Sequence, residues 1–73
     1  MDTKLSEREQ DVLRLLAQGY TSKEVADRLA IGAKTVDTYK RRASEKLNLR
    51  TRVQLVRFAV RQGWLNEVSF ADN

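Results

Sequence analysis

The sequence predicts an all-α fold, a compact domain of four short helices containing a helix-turn-helix. Three observations carry that prediction. Three Ser/Thr-x-x-Glu/Gln boxes mark helix starts, at "SERE" (6–9), "TSKE" (21–24) and "TRVQ" (51–54). Apolar residues recur three and four apart behind them, the helical period. The breaks between these segments are only a few residues long, as in a packed bundle. Proline is absent and the three glycines lie far apart, so the helix ends must be read from caps.

The first helix is predicted over about 7–18. The Ser6 hydroxyl can accept from the backbone N–H of Glu9, whose side chain reaches back. Leu5, Val12, Leu13, Leu15 and Leu16 supply its apolar side, and Gly19 suits the left-handed position beyond the end. The second helix, 22–29, has Thr21 as cap and Glu24 as the cap's partner, with Val25, Ala26 and Leu29 on one face. It stops at Ala30-Ile31-Gly32, where Ile31 can anchor the turn in the core and Gly32 is an acceptable N-cap for the next helix.

The third helix, 33–47, has one clean apolar stripe, Val36, Tyr39, Ala43 and Leu47, spaced 3, 4 and 4. Asn48 is its expected left-handed cap. The fourth helix, 52–62, closes at Gly63, after which Trp64 and Leu65 fold back as an apolar plug. Its inward stripe is Leu55, Val56, Ala59 and Val60, leaving Gln54, Arg57, Phe58 and Arg61 facing out. The tail "NEVSFADN", 66–73, has no periodicity and is expected to fray. Residues 1–73 thus form one domain with a core of 5–65.

Composition narrows the chemistry. There is no cysteine and no histidine. That excludes disulfide staples, thiolate or imidazole metal sites and nucleophile–histidine catalysis. No pair of carboxylates sits in an apolar surround, so no enzyme, cofactor or metal is expected. No apolar run approaches a membrane span and the N-terminus has no secretory core, which makes the cytoplasm the expected location and a membrane role unexpected. The formal charge is +4 and the pI about 9.9. Residues 33–52 carry Lys34, Lys40, Arg41, Arg42, Lys46, Arg50 and Arg52 against only Asp37 and Glu45. Such a concentration of cations on one element fits the electrostatic footprint of a nucleic-acid site and equally a solvated helix face, and charge alone leaves both open.

A short helix, a three-residue turn containing glycine and a longer basic helix form a helix-turn-helix layout. In that layout the second helix enters the major groove. With Val36, Tyr39, Ala43 and Leu47 inward, the opposite face presents Lys34, Asp37, Thr38, Arg41 and Glu45. Base edges would be read by Asp37, Thr38 and Arg41: the guanidinium on guanine, the hydroxyl and methyl on thymine or adenine, the carboxylate on the cytosine amine. Asp37 has a second reading, a carboxylate favoured by the positive end of its own helix, and the residues leave both open. Phosphate contacts are expected from Thr21, Ser22 and Lys23 at the start of the second helix, and from Lys34, Thr35, Lys40 and Arg42 around the third. Capping alone accounts for much of what Thr21 does.

The fragments "LSERE..VL.L.A.G", "SKE.A..L.I...TV" and "EKL.L..R", read at this spacing over residues 5–65, resemble the LuxR/GerE-type DNA-binding domain. That domain is the output module of NarL/FixJ-class response regulators and quorum-sensing activators. The resemblance implies a four-helix domain in which the second and third helices bind double-stranded DNA and the fourth supports dimerisation. By position it puts base reading on Asp37, Thr38 and Arg41, phosphate contact on Ser22, Lys23, Thr35 and Lys40, and structural roles on Glu9 and Arg52. Many members have Lys or Arg in place of Asp37. Tyr39 stands for a common His and is similar to a subset of response regulators. Ala43 stands for a larger aliphatic residue and Gly32 for a usual Ser cap.

The expected function is therefore sequence-specific DNA binding in transcription regulation, as the output domain of a response regulator or as a small stand-alone regulator. The expected partners are double-stranded DNA, a second copy through Gln54, Phe58 and Arg61 of helix 52–62, and RNA polymerase, with no small-molecule ligand in this domain. The rival is a basic interaction module that binds an acidic protein partner without DNA sequence preference.

Overall fold

The computed structural model describes residues 4–65, so the expected fraying of 66–73 lies outside the described residues. Four helices follow one another: α1 (Glu7–Ala17), α2 (Ser22–Leu29), α3 (Ala33–Leu47) and α4 (Arg52–Gln62). The all-α architecture is the expected one.

Helix starts obey the boxes. Ser6 accepts from the Glu9 N–H at 3.1 Å and donates its own N–H to Glu9 Oε1 at 2.9 Å. Thr21 and Glu24 exchange the same pair at 3.1 and 2.8 Å, and Thr51 and Gln54 both at 3.1 Å. Each such cap contributes about 1 kcal/mol. α3 begins differently. Gly32 is its N-cap and offers no side-chain bond.

The helix ends share one device. Gly19, Ala30, Asn48 and Gly63 adopt positive φ of 107°, 57°, 55° and 80°. The next residue then donates its N–H to the carbonyl five positions back: Tyr20 to Leu15, Ile31 to Ala26, Leu49 to Ser44 and Trp64 to Ala59, at 2.9–3.2 Å. In every case the residue beyond the hook is apolar or aromatic and half-buried, so the stop signal also anchors the chain. Two details differ from the sequence reading. α1 ends at Ala17 rather than 18, because Gln18 is the cap and shares its N–H between the carbonyls of Arg14 and Leu15. The break after α2 is made by a left-handed alanine, Ala30, at a cost of roughly 1 kcal/mol or more.

The core is built on Val12, Leu16, Val25, Ala26 and Val36, with Leu15, Tyr20, Leu29, Ile31, Tyr39 and Leu55 packed around it. α1 is the central element. It packs against α2, α3 and α4, while α4 packs on α1 alone among the helices. Two polar ties reinforce this arrangement. Glu9 is buried, 4% exposed, and Lys46 Nζ of α3 donates to its Oε1 at 2.8 Å. The Lys46 hydrogen bond, then the Ser6 N–H, hold the Glu9 carboxyl below its ordinary value of 4.5. Arg52 Nη2 of α4 donates to the Leu16 carbonyl at the end of α1, at 3.1 Å. Both residues implied to be structural act as ties between helices.

On α4, Ala59 is fully buried, and Leu55, Val56 and Val60 are half-buried. Phe58 does not stand free as expected. It is half-buried, with the Trp64 ring edge-on at 5.4 Å and 79°. The Trp64 hook at the end of α4 brings the indole back over it. The exposed apolar residue on this helix is instead Val53, at 59%.

Candidate nucleic-acid interface

The rotation of α3 about its own axis decides what it presents. Val36 and Ala43 are fully buried and Tyr39 packs on the core, so the stripe that fixes the rotation is the one read from the sequence. Lys34, Thr35, Asp37, Lys40, Arg41, Arg42 and Glu45 are exposed on the remaining surface. Thr38 is half-buried, and its hydroxyl donates to the Lys34 carbonyl at 3.2 Å. What Thr38 leaves for a ligand is its methyl group and hydroxyl lone pairs.

The charges on this face are uncommitted. Among the described residues the ion pairs are Arg8–Asp11 at 3.9 Å and Lys46–Glu9 at 2.8 Å. Lys46, the one α3 cation so engaged, sits on the side facing α1. Asp37 and Arg41 lie one turn apart without forming an ion pair. Asp37 is also the fifth residue of α3 and falls outside its first turn. The helix-dipole effect decays within that turn, so this second reading of Asp37 loses weight.

Anion-binding groups line the neighbouring surface. The α2 box uses the N–H groups of Thr21 and Glu24 and the Thr21 hydroxyl, leaving those of Ser22 and Lys23 pointing outward from the helix start. Lys23 and Thr21 are exposed and Ser22 is half-buried. At the start of α3 no side chain caps the first N–H groups, and the space above Gly32 is open apart from Thr35 Oγ1 at 3.9 Å. Uncapped N–H groups beside Lys34 and Thr35 suit a phosphate oxygen.

Along the other flank of α3 runs an open groove of about 830 Å³, lined by Asp37, Lys40, Arg41, Ser44, Glu45, Asn48, Leu49 and Arg50. A smaller hollow of about 300 Å³ adjoins it, lined by Leu13, Lys40, Ser44, Leu49, Arg50, Thr51, Arg52 and Leu55. Arg50 is a wall of both, a role that sequence reasoning missed. The sequence signal was its place in the basic run just beyond the helix end.

The residues expected at a dimer contact are distributed unevenly. Gln54 is exposed, but its Oε1 accepts from the N–H groups of Arg50 and Thr51 at 2.6 and 3.1 Å. Arg61 is exposed with its guanidinium 6.0 Å over the Phe58 ring. Val53, absent from the sequence-based set, is the apolar residue most available there. Among the described residues, no group of acidic, histidine or cysteine side chains could hold a metal ion, and no helix is long and apolar enough to cross a membrane.

Residues 3–59 match the family described as bacterial regulatory proteins, luxR family. Among known proteins, the chain is 40% identical over 62 residues to the oxygen regulatory protein NreC of Staphylococcus carnosus, covering 85% of this chain and 29% of NreC. It is 49% identical over 57 residues to the virulence-factor transcription regulator BvgA of Bordetella pertussis, covering 78% of this chain and 27% of BvgA. It is 37% identical over 62 residues to the response regulatory protein YgeK of Escherichia coli K12, covering 85% of this chain and 42% of YgeK. The chain thus spans less than half the length of each of these relatives.

Proposed function

The chain belongs to the luxR family of bacterial regulatory proteins and is a DNA-binding domain of transcription regulation, and from that premise we propose how it reads its site. α3 lies in the major groove of double-stranded DNA, with Asp37, Thr38 and Arg41 at base edges. Thr21, Ser22, Lys23, Lys34, Thr35, Lys40 and Arg42 take the backbone phosphates on either side. The observation that carries this is the outer face of α3, whose exposed cations and single early carboxylate form no ion pair among the described residues. A carboxylate there weakens phosphate contact generally and tolerates a base that offers a donor, so Asp37 acts partly by rejecting wrong sites.

Two copies read half-sites about one helical turn apart. Their contact runs along α4 through Gln54, Arg61 and the part of Phe58 that Trp64 leaves uncovered, and the 59% exposure of Val53 supplies its main apolar component. In the cytoplasm, the domain serves as the DNA-reading part of a response regulator, with RNA polymerase as the further partner. That wider role is supported by the names of the response-regulator and transcription-regulator relatives.

Selection of binding sites from a random duplex library at physiological salt tests the proposal. A pseudo-palindromic motif with half-sites about ten base pairs apart is expected. Retention that tracks salt alone, with no motif, would refute base reading and favour a basic module for an acidic protein partner.

A further inference from the structure

The turn between α3 and α4 holds a cation in a way its helix-capping duty does not require. Asn48 occupies the left-handed position at φ 55°, where glycine would be unstrained. Asparagine brings an acceptor that glycine lacks, and its Oδ1 takes the Arg50 Nε hydrogen at 3.2 Å. The Arg50 backbone N–H donates to Gln54 Oε1 at 2.6 Å. Arg50 is therefore fixed at its backbone and at Nε, and its two terminal nitrogens are the donors left over.

Lys40 lines the same groove. Lys40, Ser44, Leu49 and Arg50 line both hollows on this flank of α3, so the two cations stand on the wall that the hollows share. Asp37 and Glu45 line the larger hollow, but the smaller one has no carboxylate among its lining residues. Neither cation is in an ion pair among the described residues.

We propose that Arg50, positioned by Asn48, and Lys40 together clamp one backbone phosphate of duplex DNA at the edge of the groove that α3 enters. This rests on the DNA-binding reading above and adds a residue and a positioning group to it. A guanidinium held at Nε presents its remaining donors as a fork that matches two phosphate oxygens. The site is an open trough continuous with Arg41, which suits a strand passing through it.

The test measures binding to a selected duplex and to a random duplex from about 50 to 200 mM salt. Arg50→Ala should lower the slope of log affinity against log salt by about one on both duplexes, with base preference unchanged. Asn48→Gly keeps the cap geometry and should leave thermal unfolding intact while weakening DNA binding. In an Arg50→Lys background, Asn48→Gly should have no further effect on binding, because lysine has no Nε–H fork for Asn48 to hold. An unchanged slope for Arg50→Ala overturns the clamp, and an undiminished Asn48→Gly effect in the Arg50→Lys background overturns the positioning role. Inorganic phosphate at matched ionic strength is the control. If it moves the Arg50 Nε resonance as fully as duplex does, the site is a free-anion seat and the strand assignment fails. Wild-type protein that binds neither duplex would refute the DNA reading itself, a different pattern from loss of the clamp alone.

Discussion

Replacing Lys46 with methionine isolates the tie between α1 and α3. The apolar stem is retained and the Nζ contacts with Glu9 Oε1 at 2.8 Å and the Lys4 carbonyl at 3.4 Å are lost. A hydrogen bond to a charged group contributes roughly 1.5–3 kcal/mol. Breaking a fully buried ion pair costs roughly 3–5 kcal/mol, but that figure applies when both partners are dry. Here the Glu9 side chain is 5% exposed and that of Lys46 35%, so water can reach the pair from the lysine side. The lower range applies, about 1.5–3 kcal/mol, or on the order of 10 °C in Tm for a domain of this size. Urea unfolding followed by circular dichroism would measure it, with m unchanged. The pH dependence adds a sharper check. Because the folded carboxyl of Glu9 is held below 4.5, its contribution is complete above that value and is lost as pH falls through the folded value. Lys46 is the largest cause of the depression, so the gap between wild type and Lys46→Met should narrow below 4.5. A gap that stays constant from neutral pH down to about pH 3 would refute the pairing as the source of the stability.

Two further substitutions test the local readings. Ala30→Gly should stabilise the domain by roughly 0.5–1 kcal/mol, since glycine relieves the left-handed strain at φ 57° while giving back some entropy of the unfolded chain; a loss of stability in the same urea assay would contradict the strain. Arg41→Ala should cost about 1–3 kcal/mol on the selected site and relax preference at one base. Equal loss on selected and random duplex would remove Arg41 from base reading.

Local features of this fold were legible because they are encoded within four residues of one another. Ser6 with Glu9, Thr21 with Glu24 and Thr51 with Gln54 each span three residues, and the α3 stripe is a simple period. That stripe also set the rotation of α3, which exposes Asp37 and Arg41 as read, whereas Thr38, read on the same outward face, is half-buried with its hydroxyl turned to the Lys34 carbonyl. What escaped reading is long-range or depends on which way a turn folds. Lys46 meets Glu9 across 37 positions, and Arg52 reaches Leu16 across 36. No local pattern signals either contact. Phe58 looked outward on a helical wheel, which has no term for the Trp64 hook that covers it. Ala30 was unread as a left-handed residue because alanine disfavours that conformation. It is adopted because Ile31 must turn into the core. Arg50 was counted as charge, and only the Asn48 contact gives that charge a direction.

The dependence of α4 on α1 alone has a mechanical meaning. α1 acts as the datum from which both working parts are dimensioned, one offset running to α3 and another to α4. In the proposed dimer, the separation of the two α3 helices therefore depends on how α1 seats each α3 and each α4, as well as on the α3–α4 turn and the contact between copies. A change under Leu13 or Leu16 would leave each half-site's base preference intact while altering the half-site spacing that fits best. Operator spacing would then be tuned from a helix that contributes none of the proposed DNA contacts.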